Sequence, residues 1–502
     1  MTHAKHSGMW YELPWKKFQS KTFQLQKRIY KASRNNELAK VKTLQIRLFG
    51  TYEARMLAIR QVTQLNDGKK TAGIDGQSSL TLKQRFQLEQ DLLKYGKKWK
   101  HKGLRQINIP KPNGTQRTLK IPTIRDRAWQ CLIKIVIEPA HEAHFNARSY
   151  GFRPGRSTHD CQKFIYQNLS SSANGKDKRV IELDIEKCFD RINHKAILDR
   201  TIAPQFIIKG LSKCLKCGVS PEFPEQGTPQ GGVISPLLAN IALDGIENIH
   251  PSLRYADDMI FFLKPKDDDQ IILSQTSAFL EERGMNLNKT KTRITASTSG
   301  FDFLGWHFLS SGNGKLQVFP SADNYKNLKK KAKAVIYNST YGAIEKSRKL
   351  APIIRGWRNY HKYCNMSKHN LWDLEYFTWK RFNKMPNLNK KKVTELIRLS
   401  FPRVPNSIHK FINVRQDKSP FDGDIIYWLK RNSKLYYGLT VTLLKRQTHI
   451  CKHCGLYFLE DQRVHLHHID GNHENWKLKN LMVVHRTCHM EIHHKLAKTK
   501  GR

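Results

Sequence analysis

The chain has 502 residues, with 88 Lys plus Arg against 42 Asp plus Glu and a formal net charge of +46. That length leaves room for several domains, and that charge points to a polyanionic partner, because phosphate contacts and counterion release favour binding. Apolar residues at 39% exclude a disordered basic tail, and ten Trp, 17 Tyr and 23 Phe supply both core and base-stacking surface. The nine cysteines show no disulfide framework. Residues 1–15 carry no apolar signal core, and "CLIKIVIEP" is broken by Lys134 and ended by Pro139. A reducing cytoplasm and no membrane span are expected.

Residues 1–75 read as a basic helical extension, with "FQLQKRIYKAS" and "EARMLAIRQVTQ" as helices. "GKKTAGIDG" punctuates with glycines and lacks the spacing of a phosphate-binding P-loop. From 76 to 320 strands and helices mix. In "RVIELDIEKCFD", Ile181, Leu183 and Ile185 alternate to one face, and Val180, Glu182 and Asp184 take the other. Asp190 follows on a turn into a helix. Cys214 and Cys217 have no second ligand pair nearby and read as structural. "RYADDMIFF" then sets Asp257 beside Asp258 at the tip of a hairpin between apolar runs. Adjacent like charges there repel and resist desolvation, so a positive partner is expected. A strand Asp184 beside a hairpin Asp257-Asp258 pair could share two divalent cations. Such a pair activates an attacking oxygen and stabilises a leaving one in phosphoryl transfer, with Mg²⁺ the expected ion. Surface carboxylates in an ordinary turn are the alternative, which the apolar flanks weaken.

Lys111 and Arg117 flank a Pro-Asn-Gly turn, a geometry able to bring two cations to a triphosphate. Gln230, within Pro-Gln-Gly-Gly, sits where backbone can approach a nucleotide closely. Ala256 is small beside the carboxylates and leaves room for a primer end or nucleotide. Each has a plain loop reading as its alternative.

Residues 321–400 read as helices. In "NLKKKAKAVI" an apolar stripe of Leu328, Ala332, Val335 and Ile336 lies apart from Lys329, Lys330 and Lys333. "IIRGWRNYHKY" interleaves Trp357, Tyr360 and Tyr363 with cations, a mixture that suits RNA. Helix spacing favours core packing for Trp357 and leaves Arg355 and Arg358 for RNA. Residues 401–445 hold prolines, aromatics and cations without a period, and read as a DNA-binding or linker region.

Residues 446–502 turn to Cys and His. "CKHC" and "HRTC" offer Cys451, Cys454, His485 and Cys488 as one tetrahedral structural Zn²⁺ site. In "HLHHID" and "CHMEIHH", His489 and His493 share a helix face and, with His467, could bind one further divalent metal ion. His468 could then act as general base, oriented by Asn480, in phosphodiester cleavage. A purely structural zinc module that binds nucleic acid is the alternative.

Taken in order, "TAGIDG", "IPKPNGTQRTLKIPTIRDRAWQ", "SYGFRPGRSTHD", "GTPQGGVISPLLANI", "YADD", "LNKTKT", "FDFLGW" and "RGWRNYHKY" resemble the reverse transcriptases encoded by group II introns. The ordering His-His, Asn, His-x-x-x-His resembles the HNH nucleases, although His485 stands where many members have cysteine. The resemblance covers essentially the whole chain. It implies a multidomain α+β protein, with a right-hand polymerase of fingers and palm (76–320), a maturase/thumb segment (321–400), and a small ββα-metal HNH domain with zinc (446–502). It makes Asp184, Asp257 and Asp258 the Mg²⁺ ligands, with Asp258 the softer one. Lys111 and Arg117 become contacts to deoxynucleoside triphosphates. The implied partners are group II intron RNA and target double-stranded DNA, with a homodimer possible. The implied setting is bacterial cytoplasm, with nucleoid association during action on DNA. The implied activity is RNA-directed DNA synthesis joined to splicing assistance and target nicking. The rivals are a splicing factor without polymerase activity and a reverse transcriptase of another element.

Overall fold

The computed structural model describes residues 10, 12–110, 116–217, 225–367, 369–408, 411–416, 418–433, 436, 438–458 and 464–499. Three helices, Trp15–Arg34, Leu38–Phe49 and Tyr52–Arg60, pack around the Ile124–Glu142 helix. That central helix is buried along almost its whole length, from Ile124 through Trp129 and Ile133 to Glu142. The Leu82–Tyr95 helix begins at a capping box, in which Thr81 and Gln84 each satisfy the other's backbone amide. Trp10, Ile29, Leu48 and Ile59 join one continuous core with Trp129, Ile181, Leu238 and Met259. The N-terminal helices and the following mixed region therefore share their apolar interior. Strands β1 (Arg105–Pro110) and β2 (Gln116–Ile121) form an exposed antiparallel hairpin.

The central sheet has strand order β4-β5-β3-β6, built from β3 (Arg179–Leu183), β4 (Ser252–Tyr255), β5 (Asp258–Leu263) and β6 (Arg293–Ala296). All its pairs are antiparallel, with Leu183 opposite Met259 and Tyr255 opposite Asp258. Ile181, Leu183, Met259, Phe261 and Leu263 face the larger core. The opposite face is covered too: Val180, Leu253, Ile260 and Phe262 pack with Cys161, Ile165 and Leu169 of the Thr158–Leu169 helix. Alternation in β3 thus separates two cores, and Val180 takes the face opposite Ile181 and Leu183, as the alternation predicts. A three-stranded sheet of β7 (Phe301–Phe303), β8 (Trp306–Ser310) and β9 (Leu316–Pro320) completes this second core.

The helices Ala322–Tyr337, Ala343–Tyr360, Trp372–Asn383 and Lys390–Ser400 enclose a third core around Leu328, Leu350, Ile354, Phe382 and Leu396. Beyond them, Val414 and Trp428 pack into the second core, so the segment carrying them lies against the main body. The C-terminal segment pairs β10 (Val464–His468) with β11 (Leu481–His485) and continues into the Arg486–Thr499 helix. Among the described residues, no helix is long and apolar enough to cross a membrane.

Candidate functional site

The β4–β5 turn consists of Ala256 and Asp257 alone, because Tyr255 already pairs with Asp258. Ala256 takes φ 61°, a left-handed conformation that two-residue hairpin turns require. It is only 6% exposed. A Cβ on Gly151 would lie 2.2 Å from the Ala256 nitrogen, so the backbone of "SYGFRPG" is pressed directly against the turn.

Arg254 supports the hairpin from beneath, its own charge paired with Glu247. It is fully buried. Its Nε donates to Glu247 Oε1 at 2.7 Å, and Nη1 donates to Asn240 Oδ1 at 2.9 Å and to the Ala256 carbonyl at 3.1 Å. Nη2 donates to Ser149 Oγ at 2.9 Å. Asn240 in turn donates to the Gly151 carbonyl at 2.8 Å. Arg254 was legible only as a polar residue in an apolar strand, and that signal, a cation where burial is expected, marks it as a scaffold for the turn.

Asp184 follows the end of β3, and its carbonyl accepts from the Asn288 amide at 2.9 Å. Its Oδ2 lies 3.3 Å from Lys291 Nζ, a partner in "LNKTKT" that strand alternation gives no reason to single out. The Asp258 side chain reaches solvent, but protein crowds its carboxyl. That desolvation, and then the carboxylates of Asp257 and Asp184, push its pKa up to about 6, with Lys291 opposing. Asp257 and Asp184 therefore both act electrostatically on Asp258. The three aspartates are not among the sets of ligand atoms that fall within 4.8 Å of one another among the described residues. Concentrated carboxylate charge of this kind fits hard divalent cations, which take oxygen ligands.

Beside this centre, Gln230 Nε2 donates to Asp190 Oδ2 at 3.3 Å, and the Gln230 carbonyl accepts from Lys120 of β2 at 2.8 Å. Gln230 thus joins the exposed hairpin to the short Cys188–Arg191 helix. Lys111 lies outside the described residues. So does the Arg117 side chain, although the Arg117 backbone, in β2, pairs with Ile109 of β1.

In the Ala343–Tyr360 helix, Trp357 is buried and donates to Asn324 Oδ1 at 2.8 Å. Tyr360 stacks on Trp306, with centroids 4.6 Å apart and an interplanar angle of 2°. Arg358 is half-buried and donates from Nη1 to the Phe401 and Pro402 carbonyls, at 3.0 and 2.9 Å. It caps the C-terminal end of the Lys390–Ser400 helix, a structural role its sequence neighbourhood does not reveal. Arg355, three residues earlier, is exposed.

At the C-terminal end, one ligand atom from each of Cys451, Cys454, His485 and Cys488 lies within 4.8 Å of the others. His485 Nδ1 is 3.3 Å from Cys454 Sγ and 3.9 Å from Cys488 Sγ. Burial opposes charge on His485, yet the Cys451 and Cys454 sulfurs raise it to about 9. Three thiols and an imidazole gathered in a buried pocket, competing for protons, match the donor set of tetrahedral zinc. The ligand atoms of His467, His489 and His493 also lie within 4.8 Å of one another. Burial and then the surrounding imidazoles hold His489 down at about 4, which favours the neutral, metal-binding form. Among the described residues, buried His467 Nδ1 has no hydrogen-bond partner.

His468 ends β10 with its ring edge-on to Trp476, centroids 4.9 Å apart, and among the described residues its buried Nε2 has no hydrogen-bond partner. Among the described residues, no hydrogen bond joins Asn480 to that ring. It donates instead to Asp470 Oδ1 at 2.8 Å and to the Asn475 carbonyl at 2.9 Å, and accepts from the Asp470 amide at 3.0 Å. Asn480 therefore shapes the loop that leaves His468, and any orienting effect on the imidazole is indirect. The Arg486–Thr499 helix carrying His489 and His493 also touches the N-terminal helices, where Gln64 hydrogen-bonds Glu491.

Three family models match the chain. Residues 109–308 match "Reverse transcriptase (RNA-dependent DNA polymerase)". Residues 10–92 match "N-terminal domain of reverse transcriptase", and residues 325–393 match "Group II intron, maturase-specific domain". Maturase-like protein 1 of Euglena gracilis is 37% identical over 354 residues, covering 70% of this chain and 77% of that protein. The group II intron-encoded protein LtrA of Lactococcus lactis is 28% identical over 335 residues, covering 50% of this chain and 54% of that protein. Among solved structures, apo telomerase from Candida tropicalis aligns with a TM-score of 0.35 and 13% identity, over 67% of this chain and 65% of that one. With its polymerase and maturase-specific segments matched in order and a relative at this identity over most of its length, the chain belongs to the group II intron reverse transcriptase/maturase family.

Proposed function

We propose that the chain copies its host intron RNA into DNA at the centre formed by Asp184, Asp257 and Asp258, and that its C-terminal segment nicks the target DNA that primes the copy. The polymerase reading rests on one observation: "YADD" is held as a two-residue turn over fully buried Arg254, with the Asp184 carboxylate close enough to act on Asp258. Asp184, Asp257 and Asp258 would hold Mg²⁺, which supplies charge stabilisation for phosphoryl transfer when bound. Arg254 fixes the turn through the Ala256 carbonyl. Lys291 balances the carboxylate charge. Gln230 ties the β1–β2 hairpin to the short helix bearing Asp190, beside which a nucleoside triphosphate would lie. Exposed Arg355 is offered to intron RNA.

In the C-terminal segment, Cys451, Cys454, His485 and Cys488 would hold structural zinc. His467, His489 and His493 would hold the ion of an HNH-type nuclease. His468 would take the proton from the attacking water, with Asn480 keeping its loop in place. Nick and polymerase on one chain support target-primed reverse transcription, with the intron RNA and double-stranded DNA as partners.

The test is RNA-templated primer extension with Mg²⁺, comparing the native chain with an Asp257→Asn, Asp258→Asn variant. Extension by the native chain alone supports the assignment. No extension by a folded, RNA-bound native chain would shift the reading to splicing assistance without synthesis. Strand nicking is measured separately, and nicking that survives His468→Ala would remove that residue from its role.

A further inference from the structure

The Trp372–Asn383 helix carries two apolar stripes. Leu374, Thr378 and Phe382, with Leu371 just before them, are buried in the core of the four helices. Roughly a third of a turn away, Trp372, Tyr376 and Trp379 recur at i, i+4 and i+7. Their rings form a ladder. Trp372 and Tyr376 lie 5.5 Å apart at 5°, and Tyr376 and Trp379 lie 6.1 Å apart at 8°. Trp372 is 64% exposed and Tyr376 44%, so two large aromatic rings project into solvent from a helix whose core stripe is already satisfied. Lys380 Nζ sits 4.7 Å over Tyr376.

Packing does not account for this stripe, since only Trp379 leans on the core. Ring-on-ring stacking along a helix adds only a few tenths of a kcal/mol. An exposed run of aromatics marks a surface that meets a partner. Three observations select the partner's chemistry. The rings are nearly parallel, so the ladder ends in a flat π face at Trp372, which suits an unpaired base. A cation sits on the middle ring, while the acids Asp373 and Glu375 flank the first, so the surface is built for stacking more than for phosphate contact. The helix lies inside the maturase-specific match at residues 325–393, on a chain with a net charge of +46. Unpaired RNA bases splay out and stack on aromatic rings with little sequence preference.

We infer that Trp372, Tyr376 and Trp379 form a stacking platform for unpaired bases of single-stranded RNA. This rests on the RNA-binding role of the maturase segment and adds to it the surface and the mode of contact.

The experiment uses the full chain, with a short single-stranded oligoadenylate and an RNA duplex of equal charge as probes, and fluorescence anisotropy across a salt series. Alanine at both exposed positions (Trp372→Ala, Tyr376→Ala) should weaken single-strand binding by roughly five- to a hundredfold per stacked ring. Duplex binding should be little changed. The salt slope should stay the same, because no phosphate contact is removed. The paired variant Trp372→Phe, Tyr376→Phe should retain most of the affinity, and both variants should melt with the native chain because the rings are exposed. Native binding with no loss in the alanine variant would overturn the platform alone. Equal loss on strand and duplex would assign the helix to backbone contact or to the fold and overturn it too. Self-association lost in the variant at unchanged RNA affinity would give the ladder to a second copy of the chain. A native chain that binds neither probe would overturn the RNA reading of the segment along with the platform.

Discussion

Arg431 lays one guanidinium nitrogen against both carboxylate oxygens of Asp160, 2.8 Å from each. Asp160 also accepts from the Ser157 amide and from Ser157 Oγ, capping the Thr158–Leu169 helix, and from the Val414 amide at 2.7 Å. A second Arg431 nitrogen donates to the Gly155 carbonyl at 2.9 Å. Trp428 closes the contact: a Cβ on Gly155 would lie 2.6 Å from its ring. The segment after the maturase helices is thus fastened to "SYGFRPGRSTHD" by a buried ion pair.

Removing one partner of this pair strands the other charge in the interior, which is worth about 3–5 kcal/mol where buried pairs have been broken. Arg431→Ala should therefore lower the melting temperature and open the segment around residues 411–433 to protease. Asp160→Asn should do the same while also weakening the helix cap. A native-like melting curve and digestion pattern for Arg431→Ala would show that the segment is held by apolar contacts alone.

Gly151 offers a more local test. Its missing side chain lets "SYGFRPG" lie on the turn that bears Asp257, where a Cβ would sit 2.2 Å from Ala256 N and 2.7 Å from the Tyr255 carbonyl carbon. Those neighbours are backbone, so the turn itself must move. Displacements of about 1 Å at a reacting centre can lower rates a hundredfold. Gly151→Ala should abolish most primer extension while RNA binding persists. Near-native extension would mean that the turn can shift without moving its carboxylates.

How legible was this in the sequence? The hairpin, its tip carboxylates and the strand ending at Asp184 followed from alternation, and the two Cys/His clusters followed from spacing. Arg254 did not, because alternation says which face a residue takes and not what waits beneath it. The second core, beneath Val180, left no comparable mark, because a strand buried on both faces shows no polar side. Arg358 looked like an RNA contact because its partners, the Phe401 and Pro402 carbonyls, lie more than forty residues away and leave no trace in a local pattern. Asn480, expected to orient His468, bonds Asp470 and the Asn475 carbonyl instead, a choice of partner that spacing cannot resolve. The ladder at Trp372 was hidden because aromatic periodicity on a helix normally signals core.

Buried His141 should make the fold sensitive to acid. Its Nε2 accepts the Ile202 amide at 3.1 Å, which requires a neutral ring. Burial, and then the charge of His144, hold its pKa down at about 3, far below the ordinary 6.5. The unfolded chain therefore takes up the proton first. The stability from this group is complete above 6.5 and is lost as pH falls below it, by about 1.4 kcal/mol per pH unit. His361, held at about 3, and His159, held at about 4, act in the same direction, burial being the first cause for each. Melting temperature should fall steadily from about pH 7 to about pH 5. His141→Gln, which keeps an acceptor but cannot titrate, should give a shallower decline. Identical slopes would remove His141 from the account.

Metal removal should divide the molecule along its chemistry. Structural zinc contributes about 10–16 kcal/mol in small modules. The C-terminal segment has only a small core of its own, centred on Leu443, Leu444, Phe458, Val483 and Val484. If Cys451, Cys454, His485 and Cys488 hold zinc, Cys451→Ser should lose the bound metal, measured as zinc per chain, and render residues beyond about 446 protease-sensitive. The same variant should lose nicking. Primer extension should survive, because the aspartate centre draws its support from Arg254, Gly151 and Lys291, none of them in this segment. The contact of Glu491 with Gln64 and the packing of Leu456 into the main core would be released together, so new cleavage sites should also appear near the Gln61–Leu65 turn. Full zinc content in Cys451→Ser would refute the site, and loss of primer extension with the metal would show that the two centres share one folding unit.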